Sequence, residues 1–141
     1  MDRKHGRILV GFDGSKSSVA ALSYAAEEAV LRGSELLIVT VWELSGYEFV
    51  ASPEFVDTLR ESGNKALAQA NHFLDTEYPN LRYSTELVQG DPAYELAHRS
   101  SQVDLIVVGA RGHGGFASLL LGSVSDQLVH HASVPVTVVR S

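Results

Sequence analysis

"VDLIVVGARGHGGFASLLLGSVSD", residues 103–126, decides how this chain folds. An apolar run of strand character, Val103 to Gly109, stops at a glycine. Five glycines then fall within fourteen positions, Gly109 to Gly122, interrupted by Leu119, Leu120 and Leu121. Ser123 opens a segment with helical spacing that reaches His131. A fully apolar strand running into a helix is the building unit of an α/β sheet. A tight strand-to-helix turn needs one or two glycines, not five. Such a concentration suits a backbone that presents N–H groups inward with no Cβ in the way, the manner in which a loop closes on a phosphate.

Outward from that stretch the pattern alternates. "RILVGF" (7–12) is a short strand ended by "DGS". Val19, Leu22, Ala26, Ala29 and Val30 recur at three- and four-residue spacing within a helix from Ser15 to Arg32, which Gly33 closes. "ELLIVTVW" (35–42) is a second strand, and residues 43–52 have no clear period and read as a loop. Phe55, Leu59, Ala66, Leu67, Ala70, Phe73 and Leu74 share one helical face, with Pro53 near its start, Pro79 beyond its end and Gly63 weakening the middle. "RYSTELV" (82–88) is a third strand. Asp91 caps a short helix from Pro92 to Arg99, and "PVTVVR" (135–140) is the fifth strand. The predicted fold is α/β: one doubly wound, Rossmann-like parallel sheet of five strands in the order 3-2-1-4-5, with four helices, forming a single domain over residues 1–141. In that order the chain reverses direction across the sheet between strands 1 and 4, and a ligand is expected outside their carboxyl ends.

Composition narrows the function. The chain has 141 residues, 45% apolar and 20% charged, as a globular domain does. It lacks cysteine, so it has no disulfide framework, thiolate metal site or thiol nucleophile. A net charge of −6 with scattered Lys and Arg argues against nucleic acid, which demands a basic stripe. The N-terminal apolar run is too short for a signal-peptide core and no run approaches the length of a membrane span, so a soluble, cytoplasmic protein is expected.

The residues that emerge at the expected ligand edge are Gly11, Phe12 and Asp13 after strand 1, and Gly109, Arg111, Gly112, His113 and Gly114 after strand 4. Gly122 and Ser123 open the last helix, whose first-turn N–H groups attract anions, and the hydroxyls of Ser123 and Ser125 either add phosphate contacts or cap it. Familiar nucleotide fingerprints are missing: no lysine precedes Ser123 as a Walker loop requires, and "GFDGS" does not match the dinucleotide pattern. A response-regulator receiver is excluded by its missing paired acids and lysine, and a serine hydrolase by "GSVSD", which lacks the second glycine of a nucleophile elbow. Six histidines show no metal-ligand spacing and read as surface or capping residues, so no resident metal site is expected.

The glycine spacing resembles that of the universal stress protein family in its ATP-binding branch: Gly, two residues, Gly, nine residues, then Gly followed by Ser or Thr. Here Gly109 and Gly112 flank Ala110 and Arg111, residues 113–121 are the nine, and Gly122 and Ser123 complete the pattern. The similarity extends along essentially the whole chain. It implies that Asp13 meets the ribose and the main chain near Val41 meets the adenine edge. Gly109 and Gly112 would pass the ribose and first phosphates, and Gly122, Ser123, Val124 and Ser125 would hold the outer phosphates. The implied cofactor is ATP, with Mg2+ or Mn2+ entering through one or two oxygen ligands. The implied protein is a cytosolic homodimer acting as a nucleotide-dependent regulator in stress response. Its dimer contact is expected at the edge strand, Val136 to Val139, where an uncovered strand is a pairing template. Catalysis, as a slow ATPase or phosphotransferase using the same pocket with at most weak ATP hydrolysis, is the alternative, as is an interaction module that binds AMP or a cyclic nucleotide. Leu119 to Leu121 belong on this reading to a buried or interface-facing turn.

Overall fold

A computed structural model describes residues 6–44, 47, 49, 51–111 and 122–141. Its elements are β1 (Arg7–Gly11), α1 (Lys16–Arg32), β2 (Glu35–Trp42), α2 (Pro53–Glu77), β3 (Tyr83–Gln89), α3 (Pro92–His98), β4 (Leu105–Gly109), α4 (Ser123–His131) and β5 (Val136–Val139). The five strands form one parallel sheet in the order β3-β2-β1-β4-β5, as the alternating pattern predicts. Successive side chains of a strand point to opposite faces, so each central strand feeds two cores. Ile8, Val10, Leu36, Ile38, Leu105 and Val107 pack against α1 and α2. Leu9, Leu37, Val39, Ile106 and Val108 pack with Leu96 of α3 and Leu128 of α4 on the other face. Ile8, Ile38, Ile106 and Val107 are fully buried, which is why these strands are apolar throughout.

The helix boundaries have visible causes. Ser15 caps α1 by accepting the Ser18 N–H on its side chain, and Gly33 closes it in the left-handed conformation at φ 66°. Ser52 caps α2 and Asp91 caps α3 in the same way. Three details differ from expectation. Val30, placed with the inward positions, is 56% exposed, because the apolar stripe of α1 narrows toward its end. The helix expected to reach Arg99 ends at His98, and a 3₁₀ turn, Arg99–Gln102, follows. Gly63 is a packing position and not merely a weak point, since a Cβ there would come within 2.6 Å of Leu87 Cδ1. Its bare backbone lets α2 lie close over β3.

Two polar contacts hold the sheet's flanks. The Asp104 carboxylate accepts the Gly6 N–H at 2.8 Å and the Arg7 N–H at 3.3 Å, fastening the start of β1 beside β4. Asp104→Ala removes that acceptor and is expected to lower the unfolding free energy by about 1–3 kcal/mol, measurable by denaturant titration. Arg99 bridges Glu95 of α3 and Glu86 of β3 at 3.1 and 3.3 Å. Burial disfavours its charge, but the hydrogen bonds it donates to both carboxylates, and their negative charge, outweigh that and hold its pKa above the ordinary value. No helix among the described residues is long and apolar enough to cross a membrane.

Candidate functional site

The carboxyl ends of β1, β2 and β4 and the N-termini of α1 and α4 share one edge of the sheet. At β1 the chain turns sharply. Gly14 takes φ 82°, a left-handed conformation suited to glycine, and the Asp13 carboxylate accepts the Ser15 N–H at 2.9 Å. The Asp13 N–H donates to Ser18 Oγ at 3.3 Å, so the first turn of α1 fixes this half-buried acid. The residue before it is held on both sides: the Phe12 N–H donates to the Val39 carbonyl at 3.0 Å, and its carbonyl accepts Thr40 Oγ–H at 2.6 Å. The Phe12 ring is buried in the core. Gly11 sits against Leu96 and Val108, where a Cβ would approach Leu96 Cδ1 to 2.9 Å. Val41 lies two positions beyond Val39 on the neighbouring strand, half-buried. Next to it Trp42 ends β2, with the Arg60 guanidinium 5.8 Å from its ring centre.

On the β4 side, the glycine at the strand end has a steric reason. A Cβ on Gly109 would press on Ser17 Oγ and come within 2.7 Å of the Ser17 carbonyl carbon and oxygen. The end of β4 and the first turn of α1 are thus in backbone contact. The next two residues are gripped from three directions. The Ala110 N–H donates to the Val139 carbonyl of β5 at 2.8 Å. The Ala110 carbonyl accepts the Gly122 N–H at 2.5 Å and Ser125 Oγ–H at 3.3 Å, both at the start of α4. The Arg111 N–H donates to Ser17 Oγ at 3.2 Å. Residues 111 and 122, the two described ends of the glycine-rich connection, therefore stand side by side.

Gly122 is the N-cap of α4 and supplies no side-chain cap. Its backbone lies against Ala110 and Arg111, where a Cβ would meet the Ala110 oxygen at 3.0 Å and Arg111 Cα at 3.3 Å. The N–H groups of Ser123, Val124 and Ser125 in this first turn have no acceptor within the helix, the arrangement that draws anions to helix starts. Ser123 is exposed, whereas Ser125 is buried and its hydroxyl also contacts the Gly122 carbonyl at 3.1 Å. Any contribution of Ser125 to an anion is consequently left to its main chain.

The structure thus brings Gly11, Phe12, Asp13, Gly109, Arg111 and Gly122 to Ser125 to one edge, with Val41 on the adjoining strand. Gly112, His113 and Gly114 lie outside the described residues, as do Leu119, Leu120 and Leu121. Ser17, Ser18 and Thr40, which do not belong to the glycine pattern, hold the two turns through their hydroxyls. Small polar residues inside "GSKSS" look like capping alternatives, and only strand adjacency reveals the partner of Ser17. Among the described residues no cluster of three or more His, Asp or Glu is placed to hold a metal, and His72, His98, His130 and His131 are exposed.

A model of the universal stress protein family matches residues 4–140. A universal stress protein of Mycobacterium tuberculosis is 37% identical over 145 residues, covering 99% of this chain and 47% of its own length. The chain spans about half the length of the curated relatives it matches. Among solved structures, the universal stress protein UspA from Lactobacillus plantarum is 25% identical with a TM-score of 0.76, over 99% of this chain and 100% of that one. A universal stress protein crystallised in complex with cAMP is 26% identical with a TM-score of 0.72, over 97% of this chain and 98% of that one.

Proposed function

Since this chain belongs to the universal stress protein family, we propose that it binds ATP at the β1–β4 edge and acts as a nucleotide-dependent regulator in the cytoplasm during stress. The observation that carries the reading is the junction at Ala110. Its carbonyl draws the uncapped start of α4 against Arg111, one strand from the Asp13 turn. Anion-seeking N–H groups and a fixed carboxylate thus stand on neighbouring strands of one edge, which suits a ligand with phosphates at one end and a ribose at the other. Asp13 receives the ribose and the Val41 main chain the adenine. Gly109 and Gly112 pass the ribose and first phosphates, and Gly122 to Ser125 hold the outer ones. A Mg2+ or Mn2+ brought by the triphosphate would take a hard oxygen donor from Asp13 or from Ser123, with the phosphates supplying the rest. The cAMP complex of a relative at 26% identity supports the adenine-nucleotide class, and keeps a cyclic or monophosphate ligand as the second reading.

This is a binding role. Phosphoryl transfer needs stabilisation of the charge on the migrating group and an oriented nucleophile, and between Gly109 and Gly122 the sequence offers only Arg111 and His113 for that work. The decisive experiment is denaturation of freshly purified protein and mass spectrometry of what it releases. Stoichiometric ATP supports the reading, AMP or a cyclic nucleotide shifts it to the second one, and ADP accumulating from added ATP turns it toward a slow ATPase.

We also propose that two copies pair through β5. This strand has β4 as its ladder neighbour and ends the sheet, with Val136 to Val139 only half-buried. Light scattering at micromolar concentration is expected to give twice the mass of one chain, and a monomer removes the proposal.

A further inference from the structure

We infer that Ser17 is a positioning residue that couples the ribose end of the proposed nucleotide site to its phosphate end, an inference that rests on the ATP reading above. Three observations lead to it. Ser17 is buried, and its hydroxyl accepts the Arg111 N–H from a residue 94 positions away. Gly109 carries no side chain where Ser17 presses on it, so the contact is backbone against backbone and has almost no slack. Lastly, Ser17 belongs to the same helical turn as Ser15 and Ser18, which hold the Asp13 carboxylate and the Asp13 N–H.

One rigid turn thus grips both halves of the edge. The Ala110–Arg111 segment also bonds to β5 and α4, and beyond the end of the β1–β4 ladder the Ser17 hydroxyl is, among the described residues, its hydrogen bond to the side of the sheet bearing Asp13. If that hydroxyl is lost, the Asp13 turn keeps its own bonds, while the Arg111 peptide is no longer referenced to it. Recognition of the nucleoside should survive, and alignment of the phosphates should not. Sequence position gives no hint of this role, because Ser17 lies outside the glycine pattern.

The test compares ATP with adenosine in titrations of the wild type and of Ser17→Ala. The expected result is a three- to tenfold weaker ATP dissociation constant, about the value of one hydrogen bond, with adenosine affinity unchanged. A substitution that only loosened the fold would weaken both ligands together and leave their ratio intact; that result overturns the inference. A second measurement needs no variant. Amide hydrogen exchange at Arg111 should slow when ATP is added and stay as it was with adenosine, and equal protection by both overturns the coupling. A wild type that binds ATP with either contrary result sinks this inference alone. A wild type that binds no adenine nucleotide sinks the reading beneath it as well.

Discussion

Gly109→Ala is expected to destabilise the protein by about 3 kcal/mol or more, at the upper end of what overpacking one methyl group costs. The new Cβ would come within 2.7 Å of the Ser17 carbonyl carbon and oxygen, and neither can swing aside as a side-chain tip would. Relief requires α1 to lift from β4, yet Ala21, Ala25 and Ala29 on that helix are completely buried against the sheet. Gly11→Ala is the matched control. There the methyl meets Leu96 Cδ1 at 2.9 Å, the flexible end of a leucine, and about 1 kcal/mol is expected. Chemical denaturation of both variants settles the ranking. Equal midpoints would mean that β4 and α1 are not in backbone contact in solution.

Gly122→Val is expected to weaken ATP binding by about a hundredfold, with a smaller effect on stability than Gly109→Ala. The Cβ would lie 3.0 Å from the Ala110 oxygen and 3.3 Å from Arg111 Cα, so the neighbours must yield by only a few tenths of an ångström. That shift falls on the junction joining residue 110 to α4. On the proposed reading, one or two charge-assisted N–H contacts to phosphate are then misaligned, each worth about 1.5–3 kcal/mol, or roughly tenfold to hundredfold in affinity. Calorimetric titration of the two proteins at one salt concentration checks this. Unchanged ATP affinity in a folded variant would remove the start of α4 from the site.

How much of this was legible in the sequence follows from which forces are local. Strand and helix periods report burial, so "ELLIVTVW" and the face running from Phe55 to Leu74 declare themselves. Asp91 announces a helix start through a bond made within three residues, and Ser15 and Ser52, which the pattern left uncredited as caps, do the same. Alternation indicates a parallel doubly wound sheet, and the strand order preferred for it matches the sheet found. Glycines were harder. Gly33 and Gly14 have left-handed backbones, a local demand, whereas Gly63 and Gly109 are needed because another element arrives on top of them. Gly109 was read as freedom for a ligand, and in the fold it is room for Ser17. A sequence states that a side chain is missing, but not which neighbour fills the space. Ser125 illustrates the same limit: its hydroxyl looked available to a phosphate, yet it is turned inward to two carbonyls.

Trp42, the chain's single tryptophan, has an experimental consequence. It closes β2 at the edge where the nucleotide is proposed to lie, under the Arg60 guanidinium. Indole emission from this molecule therefore originates at one place. An optical change on mixing with adenosine or ATP would report that rim without an attached dye, and the far ends of the strands would stay dark.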